Sequence, residues 1–111
     1  MANGYYELKK AAKYSFNLKS ANHQVVLTSQ TYESKASAEG GIASVQANCG
    51  NDGCFERKMS KADQPYFVIK ASNGQVIGQS QMYESAGAME KGIESVKKNG
   101  STTEVKDLGE V

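Results

Sequence analysis

The sequence predicts an α+β fold in which two tandem β3-α-β repeats form one antiparallel sheet with two helices packed on one face. A shift of 51 positions (83 minus 32) carries YESKASAEGGIASV, which starts at Tyr32, onto YESAGAMEKGIESV, which starts at Tyr83. Within each copy, apolar residues recur first at a spacing of two and then at helical spacing, which indicates strands followed by a helix. With 111 residues, the chain is expected to form a single domain, 1–111, whose repeats cover about 5–54 and 55–108.

Three strands are expected ahead of each helix. Asn73-Gly74 lies between two apolar runs and predicts a hairpin turn in which both residues adopt positive φ. The first copy has Asn22-His23 at this place, so we expect the only histidine at an exposed turn and not in a catalytic or metal site. The residues that alternate at a spacing of two and are predicted to face the helices are Phe16, Leu18, Phe67 and Ile69.

The helices are predicted at 34–48 and 85–99. Ser34 and Ser85 are suited to cap them, because a serine hydroxyl can accept a hydrogen bond from a free backbone N–H of the first turn. Gly41 and Gly92 fall in mid-helix, where glycine costs about 1 kcal/mol relative to alanine. We expect them to permit a close approach to the sheet, and a hinge or a ligand contact is the alternative. The helical residues predicted to enter the core are Ile42, Val45, Ile93 and Val96.

A strand is also expected after each helix. The segment 53–59 is predicted to close the first repeat and open the second, and TEVKDL near the C-terminus is predicted to close the second. A unit of about 50 residues buries too little surface to be stable alone. Sharing one sheet would let both helices bury their apolar stripes, which accounts for the duplication.

Composition argues against several classes of protein. Thirteen basic and twelve acidic side chains give a net charge of +1, which does not favour a polyanionic partner. No apolar run approaches the roughly 20 residues that span a bilayer, and MANGYYELKK lacks the pattern of a signal peptide. We therefore expect a cytoplasmic protein without membrane contact.

The two cysteines, Cys49 and Cys54, are expected to be free thiols with a structural role. The alternative is a redox pair or half of a metal site, but the matching positions of the second copy are Gly100 and Val105, so the unit folds without sulfur there. Glutamates recur at the helix starts and on the helix faces, where solvation and the helix dipole explain them more simply than acid–base chemistry. No catalytic residue, cofactor or metal is predicted.

Three segments, LTSQTYESKASAEGGIASV, KASNGQVIGQSQMYES and GIESVKKNG with the later EVKDL, resemble the YegP-like family. These are small bacterial proteins made of tandem copies of a domain of unknown function. The resemblance covers nearly the whole chain and implies β3-α-β units in a single antiparallel sheet, with the last strand exchanged between units. It implies no activity, so it identifies no functional residue.

The face of the sheet away from the helices is the predicted binding surface. The first hypothesis is a non-enzymatic interaction module, which binds an unknown protein partner or self-associates. The alternative is a weak single-stranded nucleic-acid binder that uses the same open face. An ordinary solvated sheet face with scattered apolar residues is the third interpretation. The candidate binding residues are Tyr66, Val68, Lys70, Ile77, Lys19 and Val26.

Overall fold

A computed structural model describes residues 4–110 and confirms the α+β fold. Two helices lie over one seven-stranded sheet, and their apolar residues form one core cluster with the strands. No helix among residues 4–110 has the length and apolar character needed to cross a membrane. The elements are β1 Tyr5–Ala11, β2 Lys13–Lys19, β3 Val25–Ser29, α1 Lys35–Asn48, a 3₁₀ turn Asp52–Cys54, β4 Phe55–Met59, β5 Pro65–Lys70, β6 Val76–Gln79, α2 Ala86–Asn99 and β7 Val105–Glu110.

The strand order across the sheet is β4-β5-β6-β3-β2-β1-β7. The two repeats therefore meet at the β6–β3 pair, and their first three strands lie in mirrored order on either side of it. Every described pair is antiparallel except β1 with β7, which is parallel. The sheet is thus mixed and not wholly antiparallel as predicted, because β7 runs opposite to β6, the strand before α2, and therefore in the same direction as its neighbour β1.

The expectation that 53–59 closes the first repeat was wrong. Only Phe55–Met59 is a strand, and it pairs with β5 alone. The first repeat is closed by β7 instead, where Val105 lies opposite Tyr6 and the Tyr6 N–H donates to the Glu104 carbonyl at 2.9 Å. The last strand of the second repeat therefore pairs with the first repeat, which is the exchange that the resemblance implied.

Both helices begin where the sequence predicts. Ser34 Oγ accepts a hydrogen bond from the Ser37 N–H at 3.1 Å, and Ser85 Oγ accepts one from the Ala88 N–H at 3.1 Å. Capping in this way satisfies backbone donors that have no partner inside the helix. All eight predicted core residues are buried: Phe16, Leu18, Ile42, Val45, Phe67, Ile69, Ile93 and Val96.

The mid-helix glycines make room for a stack of aromatic rings. A Cβ added at Gly41 would lie 2.8 Å from Tyr32 Cζ and 2.9 Å from Phe16 Cε2, closer than any real contact. Tyr32 and Phe16 are stacked with their ring centres 6.3 Å apart, and the second repeat has the same stack below Gly92. The predicted close packing is confirmed, but at these glycines the helix contacts aromatic side chains of the sheet and not the backbone of the strands.

Two further glycines lie where the repeats meet, each beside its own equivalent in the other repeat. A Cβ at Gly78 would lie 2.9 Å from the Thr28 carbonyl oxygen and 3.0 Å from Cγ of Leu27, its equivalent under the 51-residue shift. A Cβ at Gly100 would lie 2.7 Å from Cβ of Cys49, its equivalent. In both places a side chain from the first repeat fills the space that a glycine of the second leaves free.

Substitution of adjacent glycines in α1 tests the aromatic stack. Gly40 has no atom within 4 Å of an added Cβ, whereas Gly41 has two rings in the way. We expect Gly41→Ala to lower the free energy of unfolding by more than about 1 kcal/mol through overpacking. Gly40→Ala should raise it by about 0.5–1 kcal/mol through helix propensity. Urea denaturation measures both, and equal effects at the two sites would contradict the close packing.

An exchange of residues tests the packing at the junction. Gly78→Leu should destabilise by more than about 1 kcal/mol, because the rigid Thr28 carbonyl blocks the new side chain. Leu27→Gly should cost about 2–5 kcal/mol by leaving a cavity. The double variant should lose clearly less than the sum, because the new leucine can enter the cavity of the old one. Strict additivity in the denaturation midpoints would show that the two positions do not share one space.

Candidate binding surfaces

The face of the sheet opposite the helices carries most of the predicted binding residues. Directly opposed residues on neighbouring strands share a face, and across β4 and β5 these are Val68 with Glu56 and Tyr66 with Lys58. Phe67, which alternates with them, is fully buried beneath the helices. Four of the six predicted residues lie on this open face: Tyr66, Val68, Lys70 and Lys19.

The placement of Val26 and Ile77 on the open face was wrong. Both are buried, at 8% and 4% exposure, and belong to the core cluster that includes the helices. The pairing register shifts by one residue just before Lys19 in the first hairpin and just before Lys70 in the second. Such a bulge turns the following side chains to the other face of the sheet. The residues opposite these two lysines are Val25 and Val76.

The hairpin turns also differ from the predicted type. Only the second residue of each pair has positive φ, 68° at His23 and 86° at Gly74. The His23 N–H donates to the Ser20 carbonyl at 2.9 Å, which is the arrangement of a type I turn followed by a left-handed residue. His23 lies at an exposed turn as predicted, and its Nδ1 is 2.6 Å from the hydroxyl oxygen of Tyr5.

Each repeat joins its open-face lysine to a glutamate on the neighbouring strand. Lys19 Nζ lies 2.7 Å from Glu7 Oε1, and Lys70 Nζ lies 2.7 Å from Glu56 Oε1. The hydrogen bond with Glu7 raises the pKa of Lys19, and the hydrogen bond from Lys70 lowers the pKa of Glu56. The charge of both lysines is therefore already compensated within the protein, which weakens their attraction for a polyanion.

The open face is nevertheless more basic than the chain as a whole. Six lysines against two glutamates leave an excess of four positive charges on its strands, compared with +1 for the whole chain. One of the lysines, Lys106 on β7, holds its Nζ 4.3 Å from the ring centre of Tyr5 as a cation–π contact. The six lysines are Lys9, Lys13, Lys19, Lys58, Lys70 and Lys106.

Few apolar groups on this face are accessible to a partner. Val68 is only 4% exposed, so it contributes little contact area of its own. Val25 is 40% exposed and Tyr66 and Val76 are half-buried, which makes these three the accessible apolar groups near the paired lysines. The contribution of β1 and β7 to this face was missed from the sequence, although Tyr5, Glu7 and Lys9 already alternate in β1.

Two polar clefts lie on the helix side and are related by the 51-residue shift. One, of about 570 Å³, lies between α2 and the β2–β3 hairpin, and the other, of about 530 Å³, lies between α1 and the β5–β6 hairpin. Each contains the tyrosine of its aromatic stack, Tyr83 or Tyr32, and burial raises the pKa of both hydroxyls. Lys91 and Lys98 line the larger cleft. Each cleft lies between a helix of one repeat and a hairpin of the other, so the sequence pattern within one repeat does not predict it.

The side chains capable of chemistry are engaged in structural contacts. Ser29 Oγ accepts from the Phe16 N–H at 2.8 Å, and Ser80 Oγ accepts from the Phe67 N–H at 3.0 Å. Both cysteines are free thiols, and burial raises the pKa of Cys49. Within residues 4–110, no three His, Cys, Asp or Glu side chains are grouped so that they could hold a metal ion. These contacts explain the repeated serines without a nucleophilic role.

Comparison with known proteins gives consistent matches. The family model described as "Domain of unknown function (DUF1508)" matches the chain twice, over residues 9–56 and 60–107. The UPF0339 protein YegP of Yersinia pestis is 53% identical over 110 residues, which cover 97% of this chain and 98% of that protein.

Two solution NMR structures have the same fold. UPF0339 protein SO3888 from Shewanella oneidensis is 46% identical with a TM-score of 0.92, covering 96% of this chain and 92% of that one. The protein of unknown function yegP from E. coli is 44% identical with a TM-score of 0.93, covering 98% of this chain and 96% of that one. The names and titles of these relatives state no activity. The resemblance seen in the sequence is confirmed, and the chain belongs to the DUF1508 family as a tandem pair of its domains.

Proposed function

We propose that the protein is a non-enzymatic interaction module that binds a protein partner through the open face of its sheet. The observation that carries the proposal is the repeated ion pair, Lys19 with Glu7 and Lys70 with Glu56. These pairs present both signs of charge side by side, next to Val25 and Tyr66. A folded protein surface offers mixed charges and apolar groups that suit such a pattern. A phosphate backbone would gain more from lysines that have no carboxylate beside them.

Weak binding of single-stranded nucleic acid is the second candidate for the same face. It is favoured by the excess of four positive charges there and by the half-buried ring of Tyr66, on which a base could stack. In this function Lys9 and the more loosely paired Lys58 and Lys106, each 3.9 Å from a glutamate, would contact phosphates. The other three lysines are paired with glutamates at 2.7–2.9 Å.

A pull-down from native bacterial lysate, with and without nuclease, separates the two candidates. The bait would be the wild type, an open-face variant (Tyr66→Ser with Lys70→Gln) or a control variant in the cleft (Lys91→Gln). We expect the wild type and the control to retain the same protein in both arms, and the open-face variant to lose it. Capture that disappears with nuclease would favour nucleic acid, and capture that ignores the open-face changes would exclude this surface.

Binding of a labelled single-stranded RNA gives an independent measure. If nucleic acid is the ligand, its affinity should fall steeply between about 50 and 200 mM salt, because bound phosphates release counterions. If a protein is the ligand, fluorescence anisotropy should show no saturable RNA binding, and amide shifts in an NMR titration should stay at baseline.

A further inference from the structure

The two edges of the sheet are built alike but are not covered alike. Among the described residues, β4 has a neighbour on one side only, whereas β1 is covered by β7. Phe55 lies opposite Ile69 as Tyr6 lies opposite Leu18, and each ring packs edge-to-face on the next aromatic residue at 5.8 Å. The β4 edge is therefore the structural counterpart of an edge that already accepts a strand.

The backbone groups of β4 that point outward can be identified from the hydrogen bonds of β5. The Phe67 N–H donates to Ser80 Oγ at 3.0 Å and its carbonyl accepts from the Ser80 N–H at 2.9 Å, so both Phe67 groups point toward β6. Arg57 is opposite Phe67, and in an antiparallel pair its N–H and C=O must then point away from β5. The Phe55 and Met59 carbonyls and the Met59 N–H point the same way by alternation, while the Phe55 N–H donates to the Asp52 carbonyl.

The β4 sequence, FERKM, is complementary to itself when it is paired antiparallel about Arg57. Glu56 of one copy then faces Lys58 of the other twice, on the open face, and Phe55 faces Met59 on the helix side. Met59 is 61% exposed in the single chain and would be partly buried in the pair, against a Phe55 that is itself only 6% exposed. Glu56 and the opposite Lys58 would form non-hydrogen-bonded pairs of the antiparallel ladder, in which side chains lie closest. A parallel in-register pair would instead place like charges opposite each other.

Arg57, which would lie on the two-fold axis, is already neutralised and drawn away from the edge. Its Nε donates to Glu90 Oε2 of α2 at 2.6 Å, and its Nη2 lies 3.3 Å from Asp52 Oδ1. Lys97 Nζ also lies 2.9 Å from Asp52 Oδ1 and 3.8 Å from Glu94 Oε1, so the cluster holds two cations and three carboxylates. Two such clusters can approach across the axis without a net repulsion between the two guanidinium groups.

We propose that the free edge of β4 binds β4 of a second copy of this chain, antiparallel and centred on Arg57, so that two sheets become one. Reciprocal backbone hydrogen bonds would form between the two Arg57 residues and from each Met59 N–H to the opposite Phe55 carbonyl. Charged residues usually protect an edge strand from pairing. Here the opposite charges of Glu56 and Lys58, which share one face of β4, permit one register and oppose others. This association runs along the edge of the sheet, and its Glu56–Lys58 contacts border the open face beside the Lys70–Glu56 pair. It does not depend on the proposed function, because the edge can pair whether or not the open face binds a partner.

Sedimentation equilibrium of the full chain tests the association, with a weak dimer expected between about 10 µM and 1 mM. Lys58→Glu should raise the dissociation constant at least about tenfold, because Glu56 then faces a glutamate. Glu56→Lys should do the same. An equimolar mixture of the two variants should regain the dimer, since each then faces its complement. Lys91→Glu, which makes the same charge change in the cleft, should leave the dissociation constant unchanged.

Amide hydrogen exchange locates the contact. Exchange at Arg57 and Met59 should slow as the protein concentration rises, while exchange at Glu56, which is already paired with β5, should not change. A chain that stays monomeric at about 1 mM would overturn the proposal. So would a dimer that tolerates Lys58→Glu, a mixture that fails to restore association, or protection that is confined to the open face.

Discussion

The junction between the repeats is built from residues that must differ in size. Leu27 and Gly78 occupy equivalent positions, as do Cys49 and Gly100, and each pair lies in contact across the junction. Two leucines or two cysteines could not occupy these spaces without moving the backbone. The β3–β6 pairing that makes one sheet from two units therefore depends on a loss of identity between the copies. Equivalent residues of the two copies can stay identical where they do not contact each other. Where two equivalent residues are in contact, as at these two positions, one of them must be smaller.

This constraint also accounts for the cysteines. Cys49 belongs to the core cluster, where its side chain fills the space beside Gly100, and its partner position carries no sulfur because no space remains for it. Cys54 was aligned with Val105, but the two are not equivalent in the fold, since one lies in a 3₁₀ turn and the other in the parallel strand β7. The shift of 51 residues holds from β2 to the residue that caps the C-terminal end of each helix, Cys49 or Gly100, and fails outside that range.

The local elements could be predicted from the sequence, but their arrangement could not. Periodicity and serine caps determined the helices and the core, because these depend on residues close together in the chain. The bulges that place Val26 and Ile77 in the core could not be predicted from alternation of apolar residues. Each bulge inserts a single residue into an otherwise regular strand, and the sequence does not show where. On the open face, Lys19 and Lys70 could be found by alternation. Their carboxylate partners could not, because the longer β4–β5 turn puts Glu7 and Glu56 out of the repeat's register.

The parallel pairing of β7 with β1 has a consequence for the order in which the molecule can form. β1 is synthesised before any other described element and β7 after all of them, yet they are neighbours in the sheet. While the chain is still emerging from the ribosome, the first repeat has its helix and three strands but an uncovered edge with Tyr6 at its margin. Contacts this distant along the chain form late and slow the folding of a domain. The edge formed by β1, the first described strand to be synthesised, is thus covered only by β7, the last.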